Sequence, residues 1–302
     1  MRLIEVVSRP DPDERRQLIE FVERVAATTG TRPLSDHLWL DLQAGGGPGF
    51  HAVRIADPDR TLAVAQISAA NDGSVLEVAV DVDAAGEDAI AVRDAAAENA
   101  VDAHRRSGGG RIAWWLDAPT DHDRTTAVAF GLQPWRELYE MRRPLPHELH
   151  ATVETRAFVV GDDDDAWISV NNRAFADHGE QGGWTSETLA LRQAEDWFDP
   201  EGFRVHEIDG RMAAFCWTKI HRDADPVVGE IYVIAVDPDF HGRGLGKQLT
   251  LAGLDSIAAG GVTTANLFVD AGNTAAVALY ERLGFHIHHT RAAFAGHLDP
   301  LD

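Results

Sequence analysis

The chain has 302 residues, enough for two domains of roughly 150 residues, each with a core of its own. Its 27 Lys and Arg against 49 Asp and Glu leave a formal charge of −22, which excludes non-specific binding to nucleic acid or anionic membrane, since both require a positive surface. The single cysteine, Cys216, excludes an internal disulfide, a cysteine-rich zinc site and a CxxC redox pair, and suits a reducing compartment. The start MRLIEVVSRPDPDERR turns polar early, and no run nears the ~18 apolar residues of a membrane span. A soluble, cytoplasmic protein is expected.

In chain order, Asp11-Pro12-Asp13 opens a helix on which Leu18, Val22, Val25 and Ala26 share one face, with Glu20, Glu23 and Arg24 opposite. Short β-branched runs at 52–55, 62–68 and 76–82, separated by Asp-Pro-Asp or Asn-Asp-Gly turns, predict a β-meander. An alanine-rich helix over 89–104 is stopped by Gly108-Gly109-Gly110; a strand at 112–116 comes next, then a further helix and strand. The second half repeats this order. A helix at 165–175 precedes strands at 204–208, 213–220 and 230–236, then come a helix at 245–259, a strand at 265–269, a helix at 274–283 and a last strand from Phe285.

Residues repeat as well as pattern. Val78-Ala79-Val80-Asp81 aligns with Ile234-Ala235-Val236-Asp237 at an offset of 156 (237 − 81), and Ala127-Val128-Ala129 resembles Ala276-Val277-Ala278. An internal duplication is implied. Two prolines in Arg143-Pro144-Leu145-Pro146 place the boundary there, giving domains 1–146 and 152–302.

The segment from Glu230 to Lys247 carries the chemistry: a buried strand, an Asp-Pro turn, a glycine-rich turn and a helix. Gly242, Gly244 and Gly246 let the backbone approach an anion, the first free N–H groups of the helix point at it, and Arg243 and Lys247 add positive charge. A phosphate fits there. The bland alternative is a strand-to-helix turn that uses glycine for steric reasons alone. The run lacks the Gly-Lys-Ser/Thr ending of a Walker loop and the GxGxxG of a dinucleotide site.

His241-Gly-Arg-Gly244-Leu-Gly246 resembles motif A of the GNAT acetyltransferases, Gln/Arg-x-x-Gly-x-Gly/Ala, with His241 in place of the usual Gln or Arg. Asn273-Thr-Ala-Ala-Val-Ala-Leu-Tyr280 with Gly284-Phe285 resembles motif B. The tandem halves, Asn171-Asn172, Glu180-Gln-Gly-Gly-Trp184, Trp197-Phe198-Asp199-Pro200 and Trp217-Thr218-Lys219-Ile-His221 together resemble the mycothiol synthase family of actinobacteria. The match spans most of the C-terminal half; over the N-terminal half it is mainly one of layout, strongest around Arg136 to Leu145.

That resemblance implies an α/β fold of two tandem GNAT domains, each a mixed, mostly antiparallel sheet flanked by helices. It implies an acetyl-CoA-dependent N-acetyltransferase that acetylates the cysteinyl amine of desacetylmycothiol, the last step of mycothiol biosynthesis. Ile234, Ala235 and Val236 would then bind the pantetheine arm, and Gly242, Arg243, Gly244, Leu245, Gly246 and Lys247 the pyrophosphate. Asn273, Thr274, Ala275, Ala276, Val277 and Ala278 would line the other wall. Asp36, Glu180, Lys219, Glu230 and Phe268 are the implied acceptor contacts, Phe268 standing where the family usually has Tyr. Glu230 would take the ammonium proton and Tyr280 protonate the coenzyme thiolate. Partners are then the two small molecules, without nucleic acid or membrane, and the chain is expected to be a monomer.

Each residue has a plainer alternative. Glu230 can be a strand-end carboxylate in a salt bridge, and Tyr280 a half-buried core tyrosine. Lys219 alternates outward from Cys216 and Thr218, predicting a solvated lysine; Asp36 can be the N-cap of a helix at 37–42. Trp184 and Trp217 can stack on sugars or fill the core. His206, His221, His286, His288 and His289 lie on different strands and tails without a carboxylate at ligand spacing, so no metal is expected. Asp162 to Asp165 suit a solvated helix N-terminus.

The offset of 156 puts Asp88 opposite Gly244 (244 − 88), Ile90 opposite Gly246 and Glu87 opposite Arg243, a set that repels a pyrophosphate. The second half is therefore expected to be the active one, and Val78, Ala79 and Val80 remain as a candidate second acetyl-CoA edge. A different small amine or a protein N-terminus as acceptor, or a non-catalytic acyl-CoA-binding module, are the competing functions.

Overall fold

The computed structural model describes residues 2–30, 32–176, 181–222, 224 and 226–301. It divides into two compact units: Met1–Glu137 with Arg291–Asp302, and Leu138–Thr290. A single cut near residue 146 does not reproduce that division, because residues 138–146 belong to the second unit and the end of the chain to the first.

The first unit holds β1 (Leu3–Val7), α1 (Pro12–Thr29), α2 (Asp36–Ala44), β2 (His51–Ala56), β3 (Thr61–Ala70) and β4 (Gly73–Val80). After these come α3 (Val82–Ala85), α4 (Ala89–Arg106), β5 (Gly110–Asp117) and α5 (Asp121–Ala129). The sheet runs β1-β2-β3-β4-β5 and is completed by residues 291–298, which pair antiparallel with β5. Asp11 caps α1 in a reciprocal box with Glu14, Pro12 sits in the first turn, and left-handed Gly30 ends it. Ala96, Ala97 and Ala100 let α4 lie close over a core that includes Trp114 and Phe294.

The second unit holds the rest: residues 138–144 of β6 (Gln133–Pro144), β7 (Arg156–Ala157), α6 (Asp164–Ala174), α7 (Ser186–Gln193) and β8 (Phe203–Ile208). Next are β9 (Arg211–His221), β10 (Val228–Val236), α8 (Leu245–Ala259), β11 (Thr264–Asp270) and α9 (Thr274–Arg282). The last strand, β12 (His286–Leu298), begins here. Strand order is β6-β11-β10-β9-β8-β7, antiparallel except for β10 with β11.

The two faces of this sheet are filled differently. On one, Leu249, Leu254 and Ile257 of α8 pack with Cys216 and Ile231. On the other, Trp167 of α6 meets Phe203, Phe215 and Trp217, and Trp217 stacks on Phe203 with ring centroids 4.6 Å apart. The approach of α8 is set by missing side chains. A Cβ at Gly253 would lie 2.5 Å from Cys216 Sγ, and one at Gly229 2.2 Å from Ile257 Cγ2.

The helix at 245–259 has its expected bounds, and the neighbouring elements agree to within a few residues. β1, α3, β7 and α7 are additions, α3 beginning at Val82 where the strand was expected to end. No helix among the described residues is long and apolar enough to cross a membrane.

Candidate active site

The site begins where two strands part. β10 and β11 pair in parallel only over Gly229–Ile231 with Ala265–Leu267, and from there to Val236 β10 is held by β9 alone. A register shift between Ile231 and Val233 leaves Tyr232 as an extra residue in the ladder. Such a bulge adds twist, and here it coincides with the point where β10 leaves β11. Ile234, Ala235 and Val236 thus present a strand edge with no ladder partner on the β11 side, and unpaired backbone groups of this kind seek an extended ligand.

Beyond Val236 the chain is braced. Asp237 accepts from Asp239 N at 2.9 Å and pairs with Arg173 Nη1 at 2.9 Å, while His241 Nε2 meets Val236 O at 3.0 Å. His241 therefore ties the loop back to the strand. Gly242 and Gly244 have φ of 77° and 75°, the left-handed region that disfavours any side chain. A Cβ on either would meet nothing within 4 Å. Gly244 is the N-cap of α8 and gives it no side-chain cap, nor is there an acidic residue in the first turn. The first N–H groups of the helix are left for a ligand, as an anion site requires. Leu245 is buried, Lys247 is exposed, and the Arg243 guanidinium lies 5.2 Å over the Phe240 ring. Gly246 faces Leu279 of α9.

On the aromatic face, at the foot of the gap, strand register aligns polar residues across the sheet. Lys219 of β9 is opposite Glu230 of β10, which is opposite Asn266 of β11, which is opposite Arg142 of β6. Glu230 is 7% exposed and lies 2.6 Å from His221 Nε2. Asn266 donates from Nδ2 to Glu140 Oε1 at 3.1 Å, while its own buried Oδ1 finds no hydrogen-bond partner. Lys219 is no solvated lysine: it is 6% exposed, with Nζ 4.5 Å above the Trp197 ring and 5.4 Å above that of Tyr232. Helices and aromatic side chains cover both faces of β9, so alternation along it leaves neither set of side chains in solvent.

Tyr280 is in the other cluster, with Cys216 and Leu245. Burial, with Cys216 beside it, raises its phenol above the ordinary value, so it holds its proton. Among the described residues none hydrogen-bonds its hydroxyl. Glu230 and Tyr280 thus lie toward opposite faces of β10, on either side of the gap. Asn273 caps α9, its Oδ1 accepting from Ala276 N at 3.2 Å, and Thr274, Ala275, Ala276, Val277 and Ala278 form the exposed or half-buried first turns.

Phe268, expected at the acceptor, is 41% exposed on β11 and shares a face with Asn266. Trp184 and Trp217 are core residues. Asp36 is the first residue of α2, after Ser35 at the N-cap, and pairs with Arg32; it lies in the first unit. Glu180 lies outside the described residues. His206 meets Glu154 O at 2.8 Å. His221 stands in the Trp217 to His221 block, and Glu140 and Arg142 in the Arg136 to Leu145 stretch, but neither they nor Asn266 were singled out as site residues; only strand pairing assembles them.

In the first unit β4 pairs with β5 only over Ser74–Leu76, so Val78, Ala79 and Val80 pair with β3 alone and repeat the open edge. The helix start after this edge differs from that of α8. Asp88 occupies the N-cap position of α4, where α8 has Gly244, and it pairs with Arg2 at 2.5 Å.

A parting parallel pair leading into a glycine-initiated helix is the architecture of a GNAT acyltransferase, and the profile of the acetyltransferase (GNAT) family matches residues 166–285. A tandem GNAT protein from the clavulanic acid biosynthesis pathway matches over the whole of both chains, with a TM-score of 0.66 at 14% identity, a likeness of fold alone. The mycothiol acetyltransferase of Thermobispora bispora is 38% identical over 290 residues, 93% of this chain and 96% of that one. That of Acidimicrobium ferrooxidans is 35% identical over 298 residues, 96% of both. The chain belongs to the mycothiol acetyltransferase family.

Proposed function

We propose that the protein transfers the acetyl group of acetyl-CoA to the cysteinyl amine of desacetylmycothiol. The observation that carries this is the open edge of Ile234 to Val236, running from the polar row at Glu230 to the uncapped glycine start of α8. An extended pantetheine arm fits such an edge, with its amides on the strand. Its pyrophosphate meets the N–H groups of residues 244–247, with Gly242 allowing close approach and Arg243 and Lys247 supplying charge. Asn273 to Ala278 form the opposing wall.

The acceptor lies on the polar face. Its amine must be neutral to attack; Glu230, oriented by His221, accepts the proton directly or through a water. Nitrogen attack forms the C–N bond, a main-chain N–H of Ile234 to Val236 polarises the thioester carbonyl, the nitrogen sheds its surplus proton to solvent, the C–S bond breaks, and Tyr280 gives its proton to the departing sulfur and regains one from solvent. Lys219, Asn266 and Phe268 serve as contacts for the sugar and inositol hydroxyls and the ring faces, with Glu180 as a further contact by resemblance. The first unit, with Asp88 in place of the cradle glycine, holds no pyrophosphate in this scheme and has a structural part.

Release of free thiol from acetyl-CoA is the test. Wild type turns over with desacetylmycothiol far faster than with a polyamine, and Glu230→Gln is slowed on both. Equal turnover with the polyamine would reject the acceptor, and full turnover by Glu230→Gln would reject the base.

A further inference from the structure

The segment leaving β6 turns back along α8. Thr152 N donates to Gln248 Oε1 at 2.7 Å and Ala151 N to Asp255 Oδ2 at 3.3 Å. Between them His147, His150 and Asp255 converge, one ligand atom from each lying within 4.8 Å of the others. The His147 side chain is 3% exposed. Its Nε2 is 3.2 Å from Asp255 Oδ1 without the alignment of a hydrogen bond, and the nearby Leu149 main chain gives the ring no well-aligned bond either. His150 Nδ1 reaches the same carboxylate oxygen at 2.7 Å.

A buried imidazole without a well-formed hydrogen bond is costly, and here both histidines turn toward one carboxylate. Bonds of about 2.0–2.2 Å to a tetrahedral ion set ligand atoms about 3.3–3.6 Å apart. The present separations of 2.7 and 3.2 Å reach that by small movements of the exposed His150 and of one carboxylate. The donor set, two imidazoles and a carboxylate, suits a borderline ion and not Mg²⁺ or Ca²⁺, which take oxygen ligands. Ala151 N holds the second carboxylate oxygen, the kind of outer support that orients a ligand.

We propose that His147, His150 and Asp255 form a binding site for a divalent transition ion of the zinc type, with solvent in the remaining position. No other such cluster occurs among the described residues. Asp255 is in the last turns of α8, whereas the glycine loop is at its first. The ion therefore takes no part in acetyl transfer; it fastens residues 147–152 to the helix whose start faces the coenzyme.

Full-length protein stripped with chelator is titrated with ZnCl₂ by calorimetry and melted with and without the metal; MgCl₂ is the control. Wild type binds one Zn²⁺ per chain with a rise in Tm, Mg²⁺ has no effect, and Co²⁺ gives the visible absorption of a four-coordinate centre. His147→Ala can cost the fold itself, so the exposed His150→Ala and Asp255→Asn carry the test. Each weakens Zn²⁺ by more than the about 10–100-fold that accompanies loss of an outer-shell partner. Wild type that binds no Zn²⁺, or variants that bind it as tightly as wild type, would overturn the assignment.

Discussion

Replacing His221 by alanine removes the group that orients the proposed base. Its Nε2 lies 2.6 Å from Glu230 Oε2, in a pair whose carboxylate side chain is 10% exposed and whose imidazole is 31% exposed. A hydrogen bond to a charged group contributes about 1.5–3 kcal/mol. Solvent reaches the imidazole side, so the lower half of that range applies, which is about 10–40-fold in kcat/KM. The assay is thiol release from acetyl-CoA with desacetylmycothiol across pH 6 to 9, in steady state, with each substrate varied. KM for acetyl-CoA stays unchanged, because His221 is on the aromatic face and away from the glycine loop. His221→Gln, which keeps a donor, recovers part of the loss. A His221→Ala enzyme within twofold of wild type at every pH would refute the view that this pair acts as a unit.

Other parts of the fold give further expected outcomes. Gly253→Ala puts a methyl 2.5 Å from Cys216 Sγ and lowers stability by about 1–3 kcal/mol through overpacking; an unchanged Tm would mean that α8 can lift off the sheet without cost. Tyr280→Phe lowers kcat and leaves KM for acetyl-CoA near wild type, and its Tm does not fall; a lower Tm with unchanged kcat would make the residue structural only. Burial, with His104 close by, holds His51 below its ordinary value of 6.5, and burial, aided by His297 and opposed by a bond to the Gly110 main chain, does the same to His104. The unfolded chain therefore binds more protons as pH drops through 6.5, so their stabilising contribution is complete above that value and is lost on acidification toward the folded values. Thermal melts from pH 8 to 5 show Tm falling in that window, and a flat profile would contradict it.

Most elements were readable because punctuation and periodicity agree: Gly244 and Gly260 bracket α8, and Asp11-Pro12 opens α1. β1 was not, since Leu3, Ile4 and Val6 are 46–51% exposed on an edge strand and carry no core alternation. The exchange of segments between the units was equally invisible. Period-two patterns in 138–144 and 291–298 say that these are strands, not which strand they join. At the site, the glycine loop and the open edge were legible from their motif, and the offset of 156 correctly paired Asp88 with Gly244 as helix N-caps (244 − 88). The polar row was not. Lys219, Glu230, Asn266 and Arg142 come from four strands, and the Tyr232 bulge that opens the gap has no local sequence signal.

Coenzyme affinity at Gly244 is the sharpest test of the whole account. Gly244→Val forces a side chain into a φ of +75° and into the open face of the cradle. Gly210→Val is the matched control, a left-handed glycine at φ +71° with nothing within 4 Å of its Cβ. Both variants carry a similar backbone cost of about 1–2 kcal/mol and lose similar amounts of Tm. Calorimetric Kd for coenzyme A then rises by at least about tenfold in Gly244→Val, the loss of one charge-assisted contact or more, and stays at the wild-type value in Gly210→Val. Wild-type affinity in Gly244→Val would mean that the N-terminus of α8 does not hold the diphosphate.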